Sequence, residues 1–95
     1  VGDGSKPERI VLRAYGLEPH YLRDLPMHHS QRVIETTDEY TDFEFVLRPT
    51  SDFKAHIMSR GSWLKVISPD WLVVEIQEWL KSALDLYAIP KKKEK

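Results

Sequence analysis

The chain is organised around the hexapeptide Pro26-Met27-His28-His29-Ser30-Gln31, which lies between a helical segment and two strand-like segments. This stretch holds two of the four histidines in the 95 residues. Its side chains are too polar and too specific for a simple connector. The hexapeptide is therefore either a binding site or a hydrogen-bonded corner, and the segments on each side of it decide the fold.

The segments before the hexapeptide predict a strand and a short helix. Residues 9–15 (RIVLRAY) are apolar on both faces of an extended chain, which favours a central, buried strand. Gly16 interrupts this pattern, and residues 18–25 then fit a helix with Pro19 in its first turn. Pro26 ends that helix. One face of the helix is predicted to carry Tyr21, Leu22 and Leu25.

The segments after the hexapeptide predict two paired strands. Residues 31–37 (QRVIETT) are β-branched but polar, as expected for an edge strand. Residues 38–42 supply a turn of five residues, and residues 43–48 (FEFVLR) follow as the clearest alternating strand. Two faces result, with Phe43, Phe45 and Leu47 on one and Glu44, Val46 and Arg48 on the other.

The rest of the chain predicts a helix, a strand and a long helix. Residues 49–52 (PTSD) are a helix-start cluster, and Gly61 is placed to end the helix that follows. Residues 63–67 (WLKVI) are a fourth strand, and Ser68 is predicted to cap a helix over residues 69–88. The second helix turns Phe53, Ile57 and Met58 inward. The long helix carries an apolar stripe of Leu72, Val73, Ile76, Trp79, Leu80, Ala83, Leu86 and Tyr87.

This order of elements, β-α-β-β-α-β and then a helix, predicts an α+β fold of the ferredoxin-like type. We expect a four-stranded antiparallel sheet with two helices on one face and a long C-terminal helix in addition. The length allows one domain, which we place at residues 9–89. Residues 1–8 are predicted to be the end of a linker, and residues 90–95 a charged tail.

Composition limits the function. The net charge of −1 lacks the basic excess of a general nucleic-acid-binding surface. The absence of cysteine excludes disulfides, thiolate nucleophiles and cysteine-ligated metals. No apolar run approaches the roughly 20 residues that span a bilayer, so we expect a cytoplasmic domain without a membrane contact. Because no catalytic triad, paired-carboxylate motif or phosphate loop is present, we expect neither enzyme activity nor a cofactor.

Four segments, taken in order, resemble one known family. Residues 22–31 (LRDLPMHHSQ) are similar to the helix-to-strand junction in the C-terminal extension domain, or WCX domain, of WYL-domain proteins. Residues 53–61 resemble the end of a helix in that family, and residues 66–72 (VISPDWL) resemble its step from a strand to a helix. Residues 83–87 (ALDLY) resemble its closing segment. The resemblance covers residues 9–87.

The resemblance implies a piece of a bacterial transcriptional regulator. Such proteins have an N-terminal helix-turn-helix domain, a central WYL domain and this extension at the C-terminus. The extension is expected to contact its own WYL domain and a second protomer, in a homodimer. The effector would be a small molecule or a nucleic-acid fragment, and DNA would be bound only by the helix-turn-helix domain, which this sequence does not contain.

The two histidines of the hexapeptide allow two interpretations. One is an effector-binding site, for which we predict His28, His29, Gln31 and Arg13, since a neutral imidazole is a common donor and ligand. The other is a corner in which a histidine, Ser30 and Gln31 bond to the backbone, and we favour this interpretation. Neighbouring histidines on an extended segment point to opposite sides, so we predict no metal site here.

The strand residue Arg13 belongs to a second open question. Together with Arg32, Arg48 and Lys65, it could place basic groups on the sheet face that the helices leave uncovered, and Tyr15 shares its side of the first strand. A stand-alone ferredoxin-like module that binds a small molecule or RNA is therefore the alternative function. We favour solvated charges or an interdomain surface, because the aromatic-rich strand of RNA-recognition domains is not present.

Overall fold

The computed structural model describes residues 6–88. Most of the predicted linker (residues 1–5) and the whole predicted tail (residues 90–95) lie outside this range. The elements follow the predicted order. They are β1 (Glu8–Tyr15), α1 (Glu18–Asp24), β2 (Arg32–Thr36), β3 (Tyr40–Leu47), α2 (Ser51–Ser59), a 3-10 turn (Gly61–Trp63), β4 (Leu64–Ser68) and α3 (Asp70–Tyr87).

The four strands form one antiparallel sheet in the order β2-β3-β1-β4. The prediction of an α+β fold with a four-stranded antiparallel sheet is confirmed. The strand β1 lies in the interior of the sheet, as its two-sided apolar sequence predicted. The strand β2 lies at an edge, and every residue of it is exposed, which agrees with its polar sequence.

The core lies on one face of the sheet. In the register of β1 and β3, Ile10 pairs with Phe45 and Leu12 with Phe43, so the side chains of both strands meet on this face. The inward alternation predicted for Phe43, Phe45 and Leu47 is confirmed. All three helices add side chains to the same cluster, namely Leu22 from α1, Phe53 and Ile57 from α2, and Leu72 and Ile76 from α3.

Helix α1 buries a different face from the one predicted. Leu22 is buried, but Tyr21 and Leu25 are 51% and 79% exposed. Glu18 is buried instead, and its carboxylate accepts two hydrogen bonds from the Arg60 guanidinium, at 2.8 and 2.9 Å. This ion pair raises the pKa of Arg60. The sequence pattern fails here because an acid with an arginine partner can be buried where an unpaired acid cannot.

Three predicted boundaries are wrong for local reasons. The turn before β3 is shorter than residues 38–42, because the Thr37 hydroxyl accepts the backbone N–H groups of Glu39 and Tyr40, both at 3.1 Å, and closes it early. The residue Trp63 belongs to the 3-10 turn and not to β4. Ser68 ends β4, and Pro69 is the residue that precedes α3.

The predicted linker is also one residue too long, because Glu8 is the first residue of β1. Its carboxylate accepts a hydrogen bond from Trp71 Nε1 at 3.0 Å, which connects the start of β1 to the start of α3. Within residues 6–88, no helix combines the length and the hydropathy that a membrane span requires.

We predict that Gly16→Ala is more destabilising than Gly61→Ala, and the pair is a matched test. Both glycines have a left-handed φ, of +60° and +59°, which costs another residue about 1–2 kcal/mol. A Cβ at Gly16 would lie 2.6 Å from Cζ3 of Trp63, whereas a Cβ at Gly61 meets nothing within 4 Å. In urea unfolding, Gly16→Ala should therefore lose more free energy of unfolding than Gly61→Ala. Equal losses of free energy would contradict a tight contact between Gly16 and Trp63.

Candidate functional site

The hexapeptide forms a hydrogen-bonded corner between α1 and β2. The Gln31 side chain holds it from both ends, since Nε2 donates to the Leu22 carbonyl at 2.8 Å and Oε1 accepts the Met27 N–H at 3.0 Å. The Gln31 N–H also donates to the His28 carbonyl at 3.0 Å. The Leu22 carbonyl lies in the last turn of α1, where helix carbonyls have no partner in the helix. Gln31 supplies that partner.

Ser30 and His28 join this corner to the end of β3. The Ser30 hydroxyl accepts the Val46 N–H at 2.9 Å, which extends the sheet pattern beyond Arg32, the first residue of β2. The Nδ1 atom of His28 accepts the Ser30 N–H at 3.1 Å and lies 2.8 Å from the Ser30 hydroxyl. A backbone N–H can only donate, so Nδ1 is unprotonated and the neutral ring carries its proton on Nε2.

His29 lies beside His28 and is exposed. Their ring centroids are 4.2 Å apart with an interplanar angle of 31°. The prediction that the two rings point to opposite sides is wrong, because the segment turns at this point and is not extended. The predicted hydrogen bonds of a histidine, Ser30 and Gln31 to the backbone are present, and the role of these residues in binding an effector stays a prediction.

The corner forms one wall of an open groove with a volume of about 720 Å³. The end of β3 and the first two turns of α2 form the other walls. Its apolar lining comes from Pro7, Met27, Val46, Leu47 and Phe53. Its polar lining comes from His28, His29, Arg48, Thr50, Asp52 and His56.

Sequence reasoning did not find the part of the groove that α2 contributes. His56 lies three residues after the inward-facing Phe53, so helical spacing places the two on neighbouring positions. That spacing was the available sign that His56 lies near the core edge. It could not show that α2 begins beside the hexapeptide, because this depends on how the strands pair.

The histidines of this groove are not part of a larger cluster of metal-ligating side chains within residues 6–88. Over residues 6–88, no three or more His, Cys, Asp or Glu side chains are placed to hold a metal ion. The chemistry that the groove offers is hydrogen bonding by imidazole groups above an apolar floor.

The structure does not bring Arg13 to this groove. In the register of β1 and β3, Arg13 pairs with Asp42, whereas the pair near the hexapeptide is Arg9–Val46. The two pairs are four residues apart along β1, which corresponds to about 13 Å. Its guanidinium donates to both carboxylate oxygens of Asp42, at 2.8 and 3.0 Å, and lies 3.7 Å from the centre of the Tyr40 ring. The hydrogen bonds to Asp42 raise the pKa of Arg13.

The sheet face opposite the core carries paired charges. The Glu44 carboxylate accepts hydrogen bonds from Arg9 of β1 and Arg32 of β2, so one acid of β3 connects three strands. Asp42, two residues before Glu44 in β3, forms an ion pair with Arg13. Three of the arginines on this face are therefore neutralised by acids of the chain, which weakens the case for a phosphate-binding surface.

Acid unfolding should report the Glu44 cluster. Hydrogen bonds from Arg32 and Arg9 lower the pKa of Glu44 in the folded chain from an ordinary value of 4.5. A lowered pKa stabilises the fold above the unfolded-state pKa, and that stability is lost as pH falls through the folded-state pKa. Below about pH 4.5, the melting temperature of Glu44→Gln should therefore fall less than that of the wild type. Parallel curves for the two proteins would exclude this contribution.

Loss of the Gln31 side chain should destabilise the fold. We expect Gln31→Ala to lower the free energy of unfolding by about 1–2 kcal/mol, because the Leu22 carbonyl and the Met27 N–H both lose their partner. Gln77→Ala is a matched control, since Gln77 is exposed on α3, and its cost should stay within about 0.5 kcal/mol. Equal unfolding midpoints in urea would show that the corner does not depend on Gln31.

A comparison with known protein families gives a match. The family model described as the WCX domain matches residues 6–84, which include every element from β1 to most of α3. No curated protein matches the chain.

Proposed function

The chain belongs to the WCX domain family, and on that premise we propose that it is the C-terminal regulatory and dimerisation domain of a bacterial WYL-type transcriptional regulator. WCX is a family of regulatory domains, and we propose that this one has no catalytic activity of its own. Its role would be to join two protomers and to contribute to effector sensing. Since such a regulator works on DNA, the proposed location is the cytoplasm.

We assign the domain to the ferredoxin-like fold as part of this proposal. The element order β-α-β-β-α-β is that of the split βαβ motif. The strand order β2-β3-β1-β4 places the first and third strands at the centre and the second and fourth at the edges. Side chains from α1 and α2 in the same core cluster support the placement of both helices on one face.

The observation that carries the proposed dimer is the uncovered apolar face of α3. Its first half is covered, since Leu72 is 0% and Ile76 is 7% exposed. The same apolar stripe then continues without cover. The exposed fractions are 38% for Trp79, 48% for Leu80, 65% for Leu84, 73% for Leu86 and 89% for Tyr87.

We name this face, from Trp79 to Tyr87, the α3 stripe, and we propose a second copy of the chain as the partner that covers it. Contiguous exposed apolar residues of this kind mark contact surfaces in soluble proteins. The charges along the helix support pairing with a second copy, since Lys81 lies between Glu78 and Asp85. In an antiparallel, two-fold pairing of two α3 helices, we propose that each Lys81 pairs with an acid of the other copy.

The groove beside the hexapeptide is the part of the domain that we propose for effector sensing. His28 and His29 line it, and Gln31 holds the segment that carries them. Arg13 remains a prediction without support from its position, because it lies along the sheet from the groove and is bound by Asp42. We propose that the WYL domain of the same chain packs near this groove.

The coding sequence upstream of Val1 tests the assignment. We expect it to encode a helix-turn-helix segment and a WYL domain in the same reading frame, and we expect the expressed WYL domain to bind the 95-residue chain in a pull-down with purified proteins. A reading frame that holds neither segment, together with a failure to bind any WYL domain, would contradict the proposal.

The alternative is a stand-alone module that binds a small molecule. The groove favours it, because a groove of 720 Å³ is within the usual range for small-molecule sites, roughly 300–1,000 Å³. Binding of RNA has less support, since Arg9, Arg13 and Arg32 of the sheet face are paired with acids. A chain that binds a ligand as a monomer and does not bind a WYL domain would favour this alternative.

A further inference from the structure

The groove beside the hexapeptide combines an apolar floor with a rim of hydrogen-bond donors. Leu47 and Phe53 are core residues whose edges reach the groove, and Met27 is partly buried beside them. Val46 is 51% exposed, so its side chain is available to a ligand as it stands. An apolar body in contact with these side chains would be removed from water without any change in the fold.

The rim offers donors in a fixed position. Because Nδ1 of His28 accepts the Ser30 N–H, the neutral His28 ring presents Nε2–H on its other side. Within the described part of the chain, no hydrogen bond to this atom is formed. The corner that holds the ring is braced by Ser30 and Gln31, so the donor does not have to be ordered when a ligand arrives.

The charges around the groove favour an anion. His29 and His56 line it with two exposed imidazoles, which can donate hydrogen bonds to an oxyanion, and Arg48 also belongs to the lining. Asp52 supplies the opposing carboxylate in the lining. It lies in the first turn of α2, where the positive end of the helix dipole offsets its charge.

We propose that this groove binds a small amphipathic anion, with an apolar ring or branched chain on the floor and one carboxylate or phosphate group at the imidazole rim. The inference rests on the effector-sensing part of the proposed function and names the class of effector. His28, His29 and His56 would bind the anionic group, and Val46 and Met27 would contact the apolar part of the ligand. Gln31 is a positioning residue that holds the loop.

Titration of the 95-residue chain with four probes tests the ligand class. Benzoate and phenyl phosphate carry both parts of the proposed ligand, benzyl alcohol lacks the anionic group, and inorganic phosphate lacks the apolar body. Amide chemical shifts should change at residues 27–31 and 46–53 with the first two probes. We expect each of these to bind at least tenfold more tightly than either half-probe.

Variants locate the binding. His29→Ala and His56→Ala each remove an exposed side chain, and each should weaken phenyl phosphate binding about tenfold or more, as expected for the loss of a hydrogen bond to an anion. Val46→Glu should abolish it. His20→Ala is the matched control, because His20 is exposed on α1 and does not line the groove, and its affinity should equal that of the wild type.

Several outcomes would overturn the proposal. Two of them concern affinity, namely equal affinity for benzoate and benzyl alcohol, or equal affinity for phenyl phosphate and inorganic phosphate. The others are amide chemical-shift changes only at residues outside the groove, and unchanged binding of phenyl phosphate by Val46→Glu. Failure of this proposal can be distinguished from failure of the proposed function. A chain that dimerises through the α3 stripe but binds no anion loses only this inference, whereas a chain that binds the anion but neither a WYL domain nor a second copy loses the regulatory assignment.

Discussion

Phe45→Ala should lower the free energy of unfolding by about 4 kcal/mol, the usual cost of removing a buried phenylalanine side chain. Phe45 is 0% exposed at the centre of β3. Its ring meets Phe53 of α2 edge to face, with the centroids 5.6 Å apart, and its backbone pairs with Ile10 of β1. The substitution therefore opens a cavity where β3, β1 and α2 meet.

The neighbouring position supplies the control for this test. Val46 follows Phe45 in the same strand but is 51% exposed, so Val46→Ala should change the free energy of unfolding by no more than about 0.5 kcal/mol. Small domains have about 5–15 kcal/mol of stability in all, so a loss of about 4 kcal/mol should move the urea midpoint of Phe45→Ala far below that of the wild type. Equal urea midpoints for the two variants would show that the core does not lie on the Phe45 face.

Substitution of two leucines in the α3 stripe should dissociate the proposed dimer. In Leu80→Glu/Leu84→Glu, each copy would bring two carboxylates to the apolar contact, and the desolvation of unpaired charges is strongly unfavourable. We expect the dissociation constant of the dimer to rise on the order of a hundredfold or more. The fold should be retained, because Leu80 and Leu84 are 48% and 65% exposed.

Leu25→Glu is the matched control for the α3 stripe. Leu25 is an exposed leucine of a different element, 79% exposed next to the end of α1. The same charge at this position should leave self-association unchanged. Equal dissociation constants for the α3 variant and Leu25→Glu would show that the α3 stripe is not the contact.

The order of the elements could be predicted because each is encoded locally. The alternation of Phe43, Phe45 and Leu47 needs no knowledge of distant residues to indicate an inward face. Gly61, with φ of +59°, follows α2 as its position predicted. The apolar sequence of β1 correctly indicated a strand with neighbours on both sides.

The errors concern residues whose surroundings depend on tertiary contacts. Asp42 was assigned to the turn of residues 38–42, but it lies buried in β3, where Arg13 neutralises it across the strand pair. Glu18 is buried for the same reason, with an arginine 42 residues away. A sequence shows the acids and the arginines, and it does not show which of them meet.

Only part of the candidate site could be predicted, because the rest of it also depends on tertiary contacts. His28 and His29 are adjacent in sequence, so their importance could be recognised before the structure was known. The other wall of the groove, with Arg48 and His56, comes from β3 and α2 and becomes a neighbour only when the sheet forms. The predicted apolar stripe of α3 did not include Leu84, and periodicity does not show that Leu72 and Ile76 are covered while Leu80 and Leu86 stay exposed.

Sedimentation equilibrium of the 95-residue chain, from low micromolar to near-millimolar concentration, tests the central claim that this is a dimerisation domain. The weight-average mass of the wild type and of Leu25→Glu should rise with concentration from one chain towards two, and that of Leu80→Glu/Leu84→Glu should stay at one. A wild-type chain that remains a monomer over the whole range and does not bind a WYL domain would contradict the claim.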